Sequence, residues 1–353
     1  MKNKKAKMLR TNKLLLPVFL IGIIILPASV LKTGPQAGDE NDLDIMFYNV
    51  ENFFDTINSD LDDDEFLPLS PRKWNSYKYY SKLNNVYKVI LLCGRDMSSP
   101  DIIGLCEVEN EKVLEDLCEK TYLYRDGYDY LISSGKDERG INTALMFRKD
   151  MLQLISFASW CPVNEDGTYM ATRAVLYSRL KYGDDTLDII VCHWPSRRGG
   201  AIESENRRKR VASFIKEKVD SLGMDRNIII MGDLNDEPGS DSVYKVLQAD
   251  QEGEEMENDV LVNTGSSYKY GEGSYKYQGS WYLFDQIILS SSLYRSEDGL
   301  YYEKQSYRIV NMEVLLTEDT SYRGLRPYST WWGYRYTGGF SDHLPVTIRL
   351  GKR

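Results

Sequence analysis

The chain has 353 residues, 42% hydrophobic and 27% charged, enough for one large domain or two small ones with an ample core. Its net charge of −9 excludes a protein held to nucleic acid by overall charge, so an anionic substrate would need a local basic patch or a bound cation. Five cysteines with no C-x-x-C pair exclude a disulfide framework and a thiolate zinc site, while one disulfide stays open.

Lys2, Lys4, Lys5, Lys7, Arg10 and Lys13 precede an uncharged run from Leu14 to Leu31. A positive region followed by an apolar one is the pattern of an export signal. The run is 18 residues long and contains Pro17, Gly22 and Pro27, which places it between a cleaved signal and a single membrane anchor. Residues 1–32 are expected to be one or the other, with the rest of the chain exported: periplasmic, extracellular or anchored outside the cytoplasm. Residues 33–41 read as a linker and 42–353 as the working domain.

From Asp44 onward, short apolar runs alternate with longer amphipathic ones. Ile45 to Val50 reads as a strand ending among Asn49 and Glu51. Asp60, Asp62 and Asp64 begin like a calcium loop, but Glu65 and Pro71 stand where that loop needs Gly and Glu, so a solvated loop is expected. Ser76 to Arg95 carries Tyr80, Leu83, Val86, Tyr87, Ile90 and Leu91 at helical spacing. Ile102 to Cys106 is a buried strand running into Glu107, and Glu111 to Tyr122 a helix. Tyr128 to Ser133, Thr143 to Arg148 and Leu152 to Trp160 read as strands. Thr172 to Leu180 and Leu187 to Cys192 form a hairpin around Gly183-Asp184. Ser204 to Ser221 is a helix behind a serine cap, and Ser240 to Leu247 a short one after Pro238-Gly239. Asn227 to Met231 is an apolar strand that stops at Gly232, and Leu283 to Leu289 and Leu344 to Leu350 are the last clear strands. Many strands mixed with separate helices predict sheets packed together with helices outside.

The ends of these strands carry matching polar groups. Asn49 and Glu51 follow the first, Glu107 and Glu109 the second, His193 the run ending at Cys192, and Asp233 and Asn235 the run ending at Met231. Asp342 and His343 precede the last strand, and Asp285 lies inside an otherwise apolar one. Repeated charges at strand ends are costly unless they pair or hold a cation. The chain has only two histidines, His193 and His343, and both fall in these segments. Imidazole accepts or donates a proton near pH 7. Oxygen donors with little sulfur suit Mg²⁺, Mn²⁺ or Ca²⁺ better than zinc. Both histidines as metal ligands is the alternative, although a zinc site more often shows them close together on one element.

Tyr48-Asn49-Val50-Glu51-Asn52, the run Pro100 to Glu109, Gly232-Asp233-Leu234-Asn235-Asp236 and Ser341-Asp342-His343-Leu344-Pro345-Val346 occur in this order. Together they resemble the endonuclease/exonuclease/phosphatase superfamily. It includes pancreatic-type deoxyribonucleases, apurinic-site repair endonucleases, inositol-polyphosphate 5-phosphatases and bacterial sphingomyelinases. The resemblance spans nearly the whole body and implies a four-layer α/β/β/α sandwich, two facing mixed sheets with helices outside. It implies that Glu107 is the principal metal carboxylate, with Asn49 and Glu51 beside the ion and Asp342 as its further neighbour. Asp233 matches the acid that orients or deprotonates the attacking water, and Asn235 the amide that steadies the phosphoryl group. His343 matches the histidine that binds phosphate or acts as base, and Asp285 the acid that polarises it. His193 matches the second histidine of the deoxyribonuclease branch.

Arg197 and Arg198 directly follow the His193 segment and are expected to contact phosphate. Asn142, in the turn after Arg139-Gly140, is a further candidate for substrate binding. Arg207 to Arg210 read either as an anion-capture patch or as a solvated helix face paired with Glu203, Glu205 and Glu217. Aromatic clusters at Tyr268 to Tyr282 and Tyr328 to Tyr336 would stack on bases or sugars, enter a membrane interface, or simply pack. The expected activity is divalent-metal-dependent hydrolysis of phosphate esters by in-line water attack, foremost as an exported phosphodiesterase or endonuclease acting on nucleic acid with Mg²⁺. The alternatives are a phosphatase or sphingomyelinase-like hydrolase of sugar-phosphate or lipid headgroups, and a non-catalytic surface binding protein. Nothing in the sequence implies a protein partner.

Overall fold

A computed structural model describes residues 42–59, 63–95, 98–135, 137–199, 201–252, 260–269 and 271–353. The expected signal or anchor and the linker lie outside the described residues, as do Asp60, Asp62 and Tyr270. Among the described residues no helix is long and apolar enough to cross a membrane. The described residues all fall within one unit, Asp39–Arg353.

Strand β1 (Leu43–Phe53) is followed by helix α1 (Ser76–Cys93), then β2 (Ile102–Val108), helix α2 (Glu111–Glu119), β3 (Tyr128–Ile132) and β4 (Asn142–Arg148). Next come β5 (Leu152–Trp160), β6 (Val175–Tyr182), β7 (Asp185–His193), helix α3 (Ala201–Leu222) and β8 (Ile228–Asp233). Short strands β9 (Ala249–Gln251) and β10 (Leu261–Asn263) precede a hairpin of β11 (Tyr275–Tyr277) and β12 (Ser280–Tyr282). Then follow β13 (Asp285–Ser290), the short α4 (Ser291–Arg295), β14 (Leu300–Tyr302) and β15 (Arg308–Ile309). Two ribbons, β16 (Leu316–Glu318) with β17 (Leu325–Pro327) and β18 (Trp331–Trp332) with β19 (Arg335–Tyr336), lead to β20 (Val346–Lys352).

The strands form two seven-stranded mixed sheets. One runs β14-β20-β1-β2-β4-β3, with β15 also on β20. The other runs β5-β6-β7-β8-β13-β10-β9. Each has a parallel pair at its middle, β1 with β2 and β7 with β8, flanked by antiparallel neighbours β20 and β13. The C-terminal ends of both parallel pairs and the starts of β13 and β20 therefore gather at one edge of both sheets. The middle strands read as unbroken apolar runs because both of their faces are covered. In β8, Ile229 and Met231 point between the sheets with Ile189 and Val191, while Ile228 and Ile230 pack under Val211, Ile215 and Val219 of α3. Gly104 lets the sheets press together: a Cβ there would lie 2.5 Å from Met231 Sδ of the facing sheet. Helices α1 and α2 start at Asn75 and Asn110, whose side chains accept from the backbone N–H of Lys78 and Val113.

The strand order along the chain agrees with the pattern read from the sequence, but details differ for local reasons. Helix α2 stops at Glu119, where the N–H of Lys120 closes on Asp116 O, and Thr121 begins a separate 3-10 turn. The short helix expected after Gly239 is one wide turn, Ser242–Val246. All five cysteines are free thiols.

Asp101 ties β1 to the entry of β2, taking the Asp44 N–H on its carboxylate at 2.8 Å and giving its own N–H to Asp44 O. Burial pushes its carboxyl up to about 6, with the Asp44 hydrogen bond opposing. A folded pKa above the ordinary ~3.9 means that the native state holds this proton more tightly. Its contribution to stability is then greatest below about pH 4 and is lost as the pH rises through about 6. Asp101→Asn should remove that slope, so its urea midpoint relative to wild type should rise between pH 4.5 and 7.5, and a constant difference would contradict it.

Candidate active site

The backbone turns sharply where the parallel strands end. β1 is irregular between Asn49 and Phe53 and β2 between Cys106 and Val108. Glu51, Asn52, Glu107 and Asn235 all adopt left-handed backbone, with φ of 52°, 49°, 64° and 51°. This conformation is costly for glutamate and concentrates at functional sites. It redirects the Glu51 and Glu107 side chains out of the alternating strand pattern.

Asp285, His343 and Asp233 form a relay. His343 Nδ1 is 2.7 Å from Asp285 Oδ2, and its Nε2 is 3.7 Å from Asp233 Oδ2. Asp285 is fully buried and also accepts the hydroxyl of Ser274. Tyr275 stacks on the imidazole with ring centres 4.6 Å apart, and Leu344 N–H bonds to Ser274 O, so the β11–β12 hairpin clamps the ring. Burial disfavours the charged imidazole, but Asp285 and Asp233 outweigh it and hold His343 protonated well above its usual range. Burial lifts the Asp233 carboxyl, while the His343 charge, the Asn235 N–H and the Asn49 amide oppose the shift.

The same three side chains lie close enough to suggest a metal site. Their arrangement suits moving a proton better than holding a metal, because Nδ1 already faces Asp285 and a protonated ring repels a cation. Glu107 and Asp342 are the better fit for a divalent ion. Glu107 keeps one oxygen free of hydrogen bonds, the other accepting Asn52 N–H at 2.8 Å, and both acids are partly accessible. Burial and the Glu107 charge together push the Asp342 carboxyl up, as expected of acids awaiting a cation. Hard oxygen donors of this kind suit Mg²⁺, Mn²⁺ or Ca²⁺.

Asn49 and Glu51 stand one layer back. Asn49 donates from Nδ2 to Asp233 Oδ2 at 3.0 Å and accepts Glu51 N–H on Oδ1. Glu51 turns its carboxylate onto the backbone N–H groups of Thr330 (2.5 Å) and Trp331 (3.2 Å). His193 Nε2 lies 3.5 Å from Asp233 Oδ2 and 4.0 Å from Glu107 Oε1. Burial and the neighbouring Arg173 and Arg139 keep His193 neutral, well below its usual range. Asn235 takes an Asx turn onto Asp233 Oδ1 and donates from Nδ2 to Trp194 O, leaving its second amide hydrogen for a ligand.

The expected substrate contacts separate. Arg197 is committed to Asn235 O and Asp236 Oδ1 and stacks over Phe284, so it braces the Asp233–Asp236 turn. Asn142 gives its amide hydrogens to Glu109 O and Gly140 O, which fixes its own turn. Arg198 is exposed and makes no hydrogen bond among the described residues. Arg207 to Arg210 are engaged too: Arg208 with Asp236, Lys209 with Glu205 and Asp241, Arg210 with Glu165, and Arg207 with Ala171 O.

Two buried cations escaped the sequence reading. Arg173 is 7% exposed, with Nη2 3.3 Å from His193 Nε2 and Nε 3.4 Å from Asp137. Lys82, 1% exposed, donates to Thr330 Oγ1 and Phe340 O below Glu51. Lys82 follows Tyr79 and precedes Leu83 and Val86 on the apolar face of α1, a legible anomaly. Nothing local marked Arg173.

Residues 44–352 match the endonuclease/exonuclease/phosphatase family. The chain belongs to that family. It is a phosphoric ester hydrolase with the fold described above. Among curated proteins none matches the chain. Several solved structures do. One is D. rerio TDP2 humanized by 14 mutations, with 16% identity and a TM-score of 0.56, covering 88% of this chain and 100% of that one. A second is the mannosyl-6-phosphatase Bt3783 of Bacteroides thetaiotaomicron, with 18% identity and a TM-score of 0.54, covering 87% and 99%. A third is the human Nocturnin catalytic domain with bound sulfate, with 15% identity and a TM-score of 0.53, covering 88% and 94%. At these identities the likeness speaks for the fold alone.

The two histidines allow a direct test of the relay by NMR in metal-free protein. The His343 ring should stay protonated well above the ordinary ~6.5, because its folded pKa is raised, while His193 should stay neutral well below it. In Asp285→Asn the His343 midpoint should fall toward the ordinary ~6.5. An unshifted midpoint would show that Asp285 does not hold the charge.

Proposed function

We propose that this chain hydrolyses phosphoric esters by in-line attack of water, assisted by a divalent ion, on substrates that present one or a few phosphates. The observation that carries the reading is the gathering of the Asp285–His343–Asp233 relay with Glu107 and Asp342 at one end of the two sheets. Asp233 sits where it can orient the water and take its proton as oxygen bonds to phosphorus and the ester oxygen leaves. Protonated His343, fixed by Asp285 and Tyr275, and the free Asn235 amide hydrogen face the phosphoryl oxygens on which charge builds. Neutral His193 and cationic Arg173 complete the far wall. Mg²⁺, or Mn²⁺ or Ca²⁺, held by Glu107 and Asp342, would neutralise charge on those oxygens when bound.

Charge distribution favours a short substrate. Binding a polynucleotide relies on several cations free to neutralise phosphates. Around this site the Arg207–Arg210 cluster and Arg197 are spent on protein carboxylates and carbonyls, whereas Arg198 makes no hydrogen bond among the described residues. A nuclease reading keeps one support: Tyr277, Tyr322, Trp332 and Tyr334 are 54%, 44%, 43% and 63% exposed on the ribbons beside the relay and the Glu51 loop, and rings of this kind stack on bases. We also propose that the domain works outside the cytoplasm, on the strength of the basic-then-apolar residues 2–31; recovery of the tagged chain in the cytosolic fraction would overturn that.

Assays with sugar phosphates, inositol phosphates, a bis-phosphodiester dye, sphingomyelin, RNA and plasmid DNA, each with Mg²⁺, Mn²⁺ and Ca²⁺, separate the readings. Small esters should be hydrolysed, and EDTA should abolish turnover. Cleavage confined to nucleic acid would reject the short-substrate reading. Asp233→Ala and His343→Ala should each lower turnover about 10²–10⁴-fold with unchanged circular dichroism. A variant retaining near-full activity would sink the relay.

A further inference from the structure

Lys82 has no part in the relay, yet it lies under the site with a side chain sealed from water. It projects from α1, and its ammonium donates to Thr330 Oγ1 at 2.6 Å and Phe340 O at 2.5 Å. Thr330 is also the residue whose N–H meets Glu51. Burial pulls the Lys82 ammonium down to about 8, and the charges of Glu51, Asp342 and Glu107 oppose that fall. A buried ammonium satisfied by a hydroxyl and a carbonyl still carries a full desolvation cost, which only nearby negative charge offsets.

We infer that Lys82 is a built-in counter-cation for the acidic end of the site, a positioning residue that neutralises Glu51 from below and leaves Glu107 and Asp342 to share a divalent ion above. The division follows from the directions the carboxylates take. Glu51 spends both oxygens on backbone N–H groups of the 330–331 segment, on the side where Lys82 lies. Glu107 keeps an oxygen free. With Lys82 in place, the acids fold together in the absence of metal. The same positive charge weakens the ion that later binds, so affinity is given up for a site assembled in advance.

The inference rests on the metal-assisted reading, and its test separates the two. Mn²⁺ binding is measured by titration calorimetry, and melting is followed in EDTA and in saturating Mn²⁺, with no turnover involved. Wild type should bind Mn²⁺; a wild-type protein that binds no divalent ion removes the metal reading and this inference with it. Lys82→Gln keeps hydrogen-bond donors without the charge. It should bind Mn²⁺ about tenfold more tightly, as expected when one buried like charge is removed. It should also melt lower than wild type in EDTA and recover most of that loss in Mn²⁺. Thr330→Val, which removes a hydrogen-bond partner and leaves the charge, should lower both melting points alike and leave Mn²⁺ affinity unchanged. Lys82→Gln with equal or weaker Mn²⁺ affinity would overturn the assignment while wild-type binding upheld the metal reading. If Lys82→Gln does not fold in EDTA, folding on addition of Mn²⁺ supports the counter-charge, and failure to fold in saturating Mn²⁺ refutes it.

Discussion

The constraint on which the rest depends is electrostatic: Glu51, Glu107, Asp233, Asp285 and Asp342 converge on one end of two packed sheets. Carboxylates taken out of water repel one another strongly and must be given partners. Each receives a different one. Asp285 has a protonated imidazole and a serine hydroxyl, Asp233 an asparagine amide and a backbone N–H, and Glu51 two backbone N–H groups over a buried lysine. Glu107 and Asp342 are left least satisfied, and they are the acids still open to solvent. The site is thus graded, from acids held by several protein donors to acids with few donors and some access to solvent.

The fold supplies this grading through where its strands end. Two parallel pairs at the centres of facing sheets deliver their C-terminal ends to one edge, and β13 and β20 start there because each runs antiparallel to a neighbour in its own sheet. Cross-strand pairing sets Asp285 and His193 on either side of Asp233 within one sheet. His343 arrives from the other sheet. The relay therefore spans the two sheets, and the tight interior contact at Gly104 and Met231 helps to fix its geometry. Strained backbone at Glu51, Glu107 and Asn235 is tolerated because hydrogen bonds on all sides over-determine it.

The rim is built from hairpins and ribbons that only secondarily belong to the sheets. The β11–β12 hairpin stacks Tyr275 on His343, and a buried Lys276–Asp319 pair at 3.0 Å ties that hairpin to the β16–β17 ribbon. The segment joining β17 to β18 supplies the N–H groups for Glu51. These pieces connect the exposed aromatic rings of the ribbons to His343 and Glu51 through a few short contacts.

The main strands, α1 and α3 were legible in the sequence because periodicity and chain breaks reflect which faces are covered, a local consequence of burial. The acids and histidines of the site were legible because polar residues repeat at the ends of apolar runs, and four motifs in order carried the family. The partners of those groups were not legible. Lys82 is 248 residues from the Thr330 hydroxyl it meets, and Asp285 is 58 from His343. Arg197 and Asn142 have residue types suited to phosphate, yet their donors are claimed by nearby carbonyls and, for Arg197, by Asp236. Sequence by itself determined which chemistry the chain carries, since that depends on residue type and local pattern. Tertiary structure alone decided which groups are free to act, because a donor or a charge is available only after every closer partner in three dimensions has been counted.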